Sequence, residues 1–182
     1  MSNDYLMGFD KEGEQIILVD GNDKDIGTIG KMAAHRLGRL HRAFSVFIFN
    51  AESELLLQRR AFSKYHSRGL WSNTCCGHPR IGEKTVDAAR RRLQEEMGIA
   101  CKLEEVFSFL YSVKFDDDLF ENEFDHVMIG KYNAAPDPNP EEACDWKWSD
   151  MDHLKYDMQT HPDNYTYWLR KSLERVIGYV AI

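Results

Sequence analysis

No run of apolar residues in this chain is long enough to cross a bilayer as a helix, so a membrane span is not expected. Nor is there a surplus of positive charge. Lys and Arg number 23 against 30 Asp and Glu, a net of −7, which argues against a nucleic-acid partner. An anionic ligand would therefore need a local basic cluster to offset the field of the whole chain. Proline is scarce, at 5 residues, and there is no Pro/Ser-rich linker, repeat or low-complexity tract. The 182 residues thus read as one domain over 1–182, with 43% apolar residues to fill a single core. The first residues are acidic and polar rather than a leader peptide, and the last three, Val-Ala-Ile, are no peroxisomal address. The expected location is the cytoplasm, where the four cysteines (Cys75, Cys76, Cys101 and Cys144) would be reduced thiols. Their spacing is neither Cys-x-x-Cys nor a zinc-finger pattern. An isolated cysteine is more often a small buried hydrophobe than a working group.

What is present is a succession of short strands with helices between them. Glu14 to Val19 reads as a strand closed by the turn Asp20-Gly21-Asn22-Asp23, and Ile29 to Leu37 as helix-like. Ala43 to Phe49 and Glu54 to Gln58 read as hairpin arms around Asn50-Ala51-Glu52-Ser53. From Thr85 to Met97, the residues Val86, Ala89, Leu93 and Met97 recur at helical spacing, with Thr85 as the expected N-cap and Gly98 as the stop. Strands are expected near Val106 to Phe115, Phe124 to Tyr132 and Trp146 to Trp148, and a helix from about Asn164 to Val176. This mixture predicts a mixed α/β sandwich.

One spacing is longer than any single element. Gly77 is followed by Glu83, then Arg91, Leu93, Glu95, Glu96, Gly98 and Ile99. It resembles the Nudix box, a loop–helix–loop that gathers carboxylates on one helix face to bind hard divalent cations and, through them, a diphosphate. Arg92 stands where that box has a Glu, so a guanidinium able to contact phosphate replaces a metal-binding carboxylate. The bland alternative is an exposed helix laced by Arg91–Glu95 and Arg92–Glu96 pairs.

Three further stretches, GKMAAHRLGRLHRAFSVFIFN, RRAFSKYHSRGLWSNTCCGHP and FENEF, resemble type 1 isopentenyl-diphosphate isomerase, in order and over roughly Gly27 to Trp168. The resemblance implies a Nudix-like α/β/α sandwich with a mixed sheet, and interconversion of isopentenyl and dimethylallyl diphosphate in isoprenoid biosynthesis. It implies Cys76 and Glu123 as catalytic groups, with Tyr111 and Trp168 as pocket aromatics. It implies His35, His41, His78, Glu121 and Glu123 as ligands of one Zn²⁺ or Mn²⁺. Lys31, Arg60, Lys64 and Arg92 would grip the diphosphate, and Glu96 would hold its Mg²⁺. Arg68-Gly69-Leu70-Trp71-Ser72 departs from the family's Pro-Gly-x-Trp-Thr.

The chemistry suits these residues. Moving a double bond requires an acid, a base and tolerance of a carbocation. Glu123 and Cys76 are two proton carriers of different pKa, Trp168 offers a π face, and Tyr111 can hydrogen-bond Glu123. Three imidazoles with two carboxylates suit Zn²⁺ or Mn²⁺ better than Mg²⁺ alone. Glu121 and Glu123 share one face of a strand. His66, His126, His153 and His161 read as ordinary surface or core histidines, and Cys75 as a packed thiol. The expected partner is a small diphosphate, with no nucleic acid or membrane, and the expected state is a monomer. Residues 1 to about 10 read as a segment able to fold over the site when substrate arrives. Two other readings stay open: a Nudix-type diphosphate hydrolase, which Arg92 opposes, and a metal or redox module built on Cys75-Cys76.

Overall fold

The computed structural model describes residues 13–115 and 118–180; the segment of residues 1 to about 10 lies outside them. In chain order the elements are β1 (Gln15–Val19), β2 (Asp25–Gly30), α1 (Lys31–Leu37), β3 (His41–Phe49), β4 (Leu55–Arg60), β5 (Trp71–Ser72), β6 (Cys75–Gly77) and α2 (Thr85–Met97). There follow β7 (Leu103–Lys114), β8 (Phe120–Lys131), β9 (Ala143–Ser149), α3 (Met151–Thr160), a 3-10 turn at Pro162–Asn164, and α4 (Tyr167–Val180).

β3 explains the layering. All but one of its residues are buried, as in a strand covered on both faces. Its side chains alternate. Phe44, Val46 and Ile48 pack with Ala89, Leu93 and Met97 of α2. Phe47 and Phe49 pack with Leu154 of α3 and Leu169, Leu173 and Val176 of α4. Each fully buried side chain of this size contributes about 1.5–3 kcal/mol. The result is the α/β/α sandwich expected from the sequence. The sheet is mixed: β3 runs parallel to β8 from His41↔Glu123 to Phe49↔Lys131. It runs antiparallel to β1 at Leu18↔His41 and to β6 from Phe44↔Gly77 to Val46↔Cys75. β7 pairs antiparallel with β8, and β4 with β5 and β9.

Several expected boundaries move. Ile29 and Gly30 belong to β2, because Ile29 pairs with Ile16 of β1, and α1 begins only at Lys31. The N-cap of α2 is Lys84, with no side-chain cap bond, and Thr85 is the first helical residue. α4 starts at Tyr167 and runs on to Val180. Gly98 does close α2, in the left-handed region at φ 67°.

Candidate active site

The register builds the site. Tyr111 of β7 lies opposite Glu123 of β8, which lies opposite His41 of β3. Four residues further along β3, Ser45 pairs with Cys76 of β6. Glu123 and Cys76 thus arrive on opposite edges of β3, and both line one cavity of about 520 Å³, a size ordinary for a small-molecule site. His35 comes from α1 and His41 from the start of β3. The chain turns between them at Gly38, whose φ of 60° a side chain would strain. Gly77 is needed for space, since a Cβ there would meet Phe44 at 3.0 Å and Arg92 at 3.4 Å.

Five predicted ligands converge. Ligand atoms of His35, His41 and His78 lie within 4.8 Å of one another, as do those of His41, Glu121 and Glu123. His41 Nδ1 is 2.8 Å from the Arg39 carbonyl; donating there leaves a lone pair on Nε2, which faces Glu123 Oε1 at 3.4 Å. Two acceptors so placed repel unless a proton or a metal ion lies between them. His41 Nε2, His35 Nδ1 and Glu121 Oε2 are all buried without a hydrogen-bond partner, a costly arrangement that a divalent metal relieves. His35 Nε2 is 2.9 Å from Tyr65 Oη. The cluster therefore fits a divalent cation held by nitrogen and oxygen.

Electrostatics separate the carboxyls. Burial works to raise the pKa of Glu123, but the contacts with His41 and His78 (3.1 Å from Nε2 to Oε1) outweigh it and hold the group well below the usual carboxylate range. Tyr111 Oη donates to Glu123 Oε2 at 2.5 Å. Glu121 goes the other way, raised by burial and by the charge of Glu123. Burial likewise pushes His35 and His78 down, which favours the neutral, metal-binding imidazole.

Cys76 is half-buried at the cavity wall, whereas Cys75 is fully buried against Leu93 and Ala89 in the α2 core. A polar chain orients Cys76. Trp168 Nε1 donates to Ser72 Oγ (3.0 Å), Ser72 donates to Asn73 Oδ1 (3.1 Å), and the Cys76 thiol points at that same oxygen (3.2 Å). Ser45 Oγ is 3.7 Å from the sulfur and donates to buried Asp125 at 2.8 Å. Burial and the nearby Asp125 push the Cys76 thiol up. An ordinary thiol titrates near 8.5, so alkylation of Cys76 in the free enzyme should stay slow at pH 8 and climb through pH 10 without levelling off. Peptide-resolved mass spectrometry checks this against exposed Cys144, and a plateau below pH 8 would contradict it.

Lys31, Arg60, Lys64 and Arg92 all line the cavity wall. Each has a resident partner. Arg92 contacts Glu96 Oε1 at 2.7 Å, Glu95 at 2.8 Å and Glu142 at 3.1 Å. Lys64 pairs with Glu142, and Lys31 with Glu14 at 3.2 Å. Arg60 lies 5.3 Å over the Trp168 ring. Burial opposes ionisation of Glu142, yet Lys64 and Arg92 bring it down to about 2. Glu96 is buried and takes a bond from Gln58 on its second oxygen at 2.9 Å. In the box-like segment, Glu83 clamps Arg91 through two 2.8 Å bonds, which fixes the loop against α2.

The sequence reading missed four residues that belong here: Ser45, Asp125, Glu142 and His66. Asp125 had a signal, because Glu121, Glu123 and Asp125 alternate on one face of β8. Ser45, Glu142 and His66 had none. His66, read as an ordinary histidine, is buried with Nε2 2.6 Å from Glu121 Oε1.

A curled mixed sheet between helices, with a carboxylate-bearing helix beside a basic cavity, defines a Nudix domain, and residues 39–169 match the NUDIX domain family. A crystal structure from Deinococcus radiodurans superposes with TM-score 0.76 at 23% identity, covering 89% of this chain and 98% of that one. A MutT protein from Methanosarcina mazei gives 0.61 at 18% identity, covering 75% and 91%. These two likenesses concern the fold alone. More specific are the relatives in sequence. The chain is 56% identical over 165 residues to isopentenyl-diphosphate Delta-isomerase 2 of Aromatoleum aromaticum, covering 91% of this chain and 87% of that protein. It is 52% identical over 155 residues to the isopentenyl-diphosphate Delta-isomerase of Serratia proteamaculans, covering 85% and 87%. The chain belongs to the isopentenyl-diphosphate Delta-isomerase family within the Nudix fold.

Proposed function

We propose that this protein interconverts isopentenyl and dimethylallyl diphosphate in isoprenoid biosynthesis, with Cys76 and Glu123 as the two proton carriers. The observation that carries the assignment of roles is their placement: one cavity, opposite edges of β3, and separate hydrogen-bond networks. The reaction moves a proton onto one carbon and takes another off a second carbon, so two groups on different sides of an alkene suffice. Tyr111 donates to Glu123 Oε2 and the Cys76 thiol points at Asn73, so each proton carrier is held in place. Trp168 is buried at the wall with its indole N–H engaged by Ser72, which fixes the ring as a π face for the developing cation. The residue is 4% exposed, and that enclosure limits the water that would capture the cation.

Lys31, Arg60, Lys64 and Arg92 take the diphosphate, with Lys31, Lys64 and Arg92 exchanging carboxylate partners for phosphate oxygens. Glu96 is the residue to hold a Mg²⁺ that accompanies it. His35, His41, His78, Glu121 and Glu123 are the residues to hold one Zn²⁺ or Mn²⁺, whose chemistry is to poise the Glu123 carboxyl and fix its position. Arg92 removes the carboxylate that a Nudix hydrolase would use for a further metal, which favours isomerisation over hydrolysis. Residues 1–182 are taken as one isomerase domain. A monomer is the proposed state, and the four free thiols suit a reducing cytoplasm. Among the described residues no helix is long and apolar enough to cross a membrane.

The test is direct. Purified protein is incubated with isopentenyl diphosphate, Mg²⁺ and Zn²⁺ or Mn²⁺; formation of dimethylallyl diphosphate supports the reading. Phosphate release from nucleoside diphosphates with no isomerisation would replace it with the hydrolase. Exhaustive chelation should abolish isomerisation and leave the fold intact by circular dichroism, and Zn²⁺ or Mn²⁺ added back with Mg²⁺ should restore it. Full activity in metal-free protein would refute the metal assignment.

A further inference from the structure

His66 sits in the loop 61–70, between β4 and β5, and is 6% exposed. Its ring is tightly enclosed. Phe115 stacks on it at 4.7 Å and 13°, while Tyr65 and Trp168 meet it edge-on at 4.5 Å and 5.8 Å. Ser67 Oγ is 3.1 Å from Nδ1; a hydroxyl donating there leaves the ring proton on Nε2. That atom is 2.6 Å from Glu121 Oε1, in contact distance but outside hydrogen-bond geometry, and it has no hydrogen-bond partner among the described residues. The other carboxylate oxygen, Oε2, is buried and has no hydrogen-bond partner.

We propose that His66 is a positioning residue of the metal site, gripping Glu121 through Oε1 so that Oε2 is the oxygen left for the cation. The same loop holds a second ligand, because Tyr65 Oη lies 2.9 Å from His35 Nε2. It also reaches the diphosphate end, through Lys64 and through the Arg60 guanidinium, which donates to the His66 carbonyl at 3.4 Å. One short segment thus braces two metal ligands and joins them to the anion grip. Glu121 has flexible torsions that must be frozen for it to act as a ligand. An imidazole already fixed by three aromatic rings does this at little added entropic cost.

The inference rests on the metal assignment above. It is tested by measuring Zn²⁺ affinity against a chromophoric chelator for wild type, His66→Ala and His66→Gln, alongside Co²⁺ spectra and the binding of inorganic diphosphate with Mg²⁺. His66→Ala should weaken metal binding about 10- to 100-fold, with diphosphate affinity held within about threefold, since the change removes none of the cavity's cationic side chains. His66→Gln, whose amide can still donate to Oε1, should recover most of the loss. The Co²⁺ coordination number should be the same in all three. Unchanged metal affinity in His66→Ala would overturn the proposal. Joint loss of metal and diphosphate without rescue by Gln would overturn it too, making His66 a packing residue of the loop. A changed Co²⁺ coordination number would make it a ligand instead. Wild type that binds no metal at all would sink the underlying assignment rather than the role of His66.

Discussion

Cys76→Ala should all but abolish isomerisation, lowering kcat about 10³-fold or more, while its neighbour Cys75→Ala keeps activity within about threefold. The two sulfurs are adjacent in sequence yet lie in different environments. β6 is extended, so their side chains leave on opposite faces. Cys75 is fully buried among Ala88, Ala89 and Leu93, and its loss removes one small core atom, a cost of about 1 kcal/mol in stability. Cys76 reaches the cavity and is aimed by Asn73, itself buried and tied to the Val46 carbonyl at 3.1 Å and the Cys75 carbonyl at 2.9 Å. Removing the thiol removes a proton carrier that no neighbour replaces. Ser45 is a far weaker acid, and Asp125 lies behind it. Cys76→Ser should keep the geometry but remain strongly impaired, because a hydroxyl is a poorer proton carrier than a thiol at neutral pH. The decisive comparison is kcat for both alanine variants at verified metal content and unchanged thermal midpoint. Substantial activity in Cys76→Ala, or its loss in Cys75→Ala alone, would overturn the assignment. The raised pKa of Cys76 in the free enzyme adds a constraint. Its thiolate is disfavoured until a diphosphate's metal or a developing cation enters the cavity, so the resting thiol is protected from oxidation and alkylation.

How far the chain discloses this in advance differs from element to element. α2 was legible because its apolar residues recur with one period and Gly98 ends it, and β3 because all but Ser45 of Ala43 to Phe49 are apolar. β2 was not, because Asp25–Gly30 is an exposed strand with two glycines and no alternating pattern. α3 has a single buried residue, Leu154, so no apolar stripe announces it; its one local sign was Asp150, whose side chain caps the helix by accepting from the backbone of Asp152 and His153. The site divides in the same way. Glu121 and Glu123 were readable as a strand-face pair, and the resemblance pointed to Cys76 and the three histidines, which the fold does gather. His66 and Glu142 escaped because each acts on a partner far along the chain, Glu121 and Lys64 respectively, within irregular segments where period carries no information. Thr85 misled for a local reason: a residue type common at caps sits one position inside the helix.

Glu123→Gln should be the most damaging change on the carboxylate side, because it removes two functions at once. Oε1 faces His78 at 3.1 Å and His41 at 3.4 Å, the metal-binding side, while Oε2 takes the Tyr111 hydroxyl at 2.5 Å. The two oxygens are thus divided between cation and proton. An amide has about the same shape but no negative charge and no acidic proton. The expected result is a loss of about 10³-fold or more in kcat together with metal affinity lower by at least about tenfold. The two losses separate experimentally. At saturating metal the binding defect is made good, and only the missing proton transfer remains. Tyr111→Phe provides the graded comparison. It deletes a hydrogen bond to a charged group, worth about 1.5–3 kcal/mol, or about 10- to 150-fold in rate if the bond acts in the transition state, and it leaves every metal ligand in place. If Glu123→Gln at full metal occupancy retained more activity than Tyr111→Phe, Glu123 would be a metal ligand only, and the proton would have to come from elsewhere. Glu121, on the same face of β8 and lining the same cavity, is then the next carboxyl to test. Burial and the charge of Glu123 raise its pKa, the direction a proton donor needs.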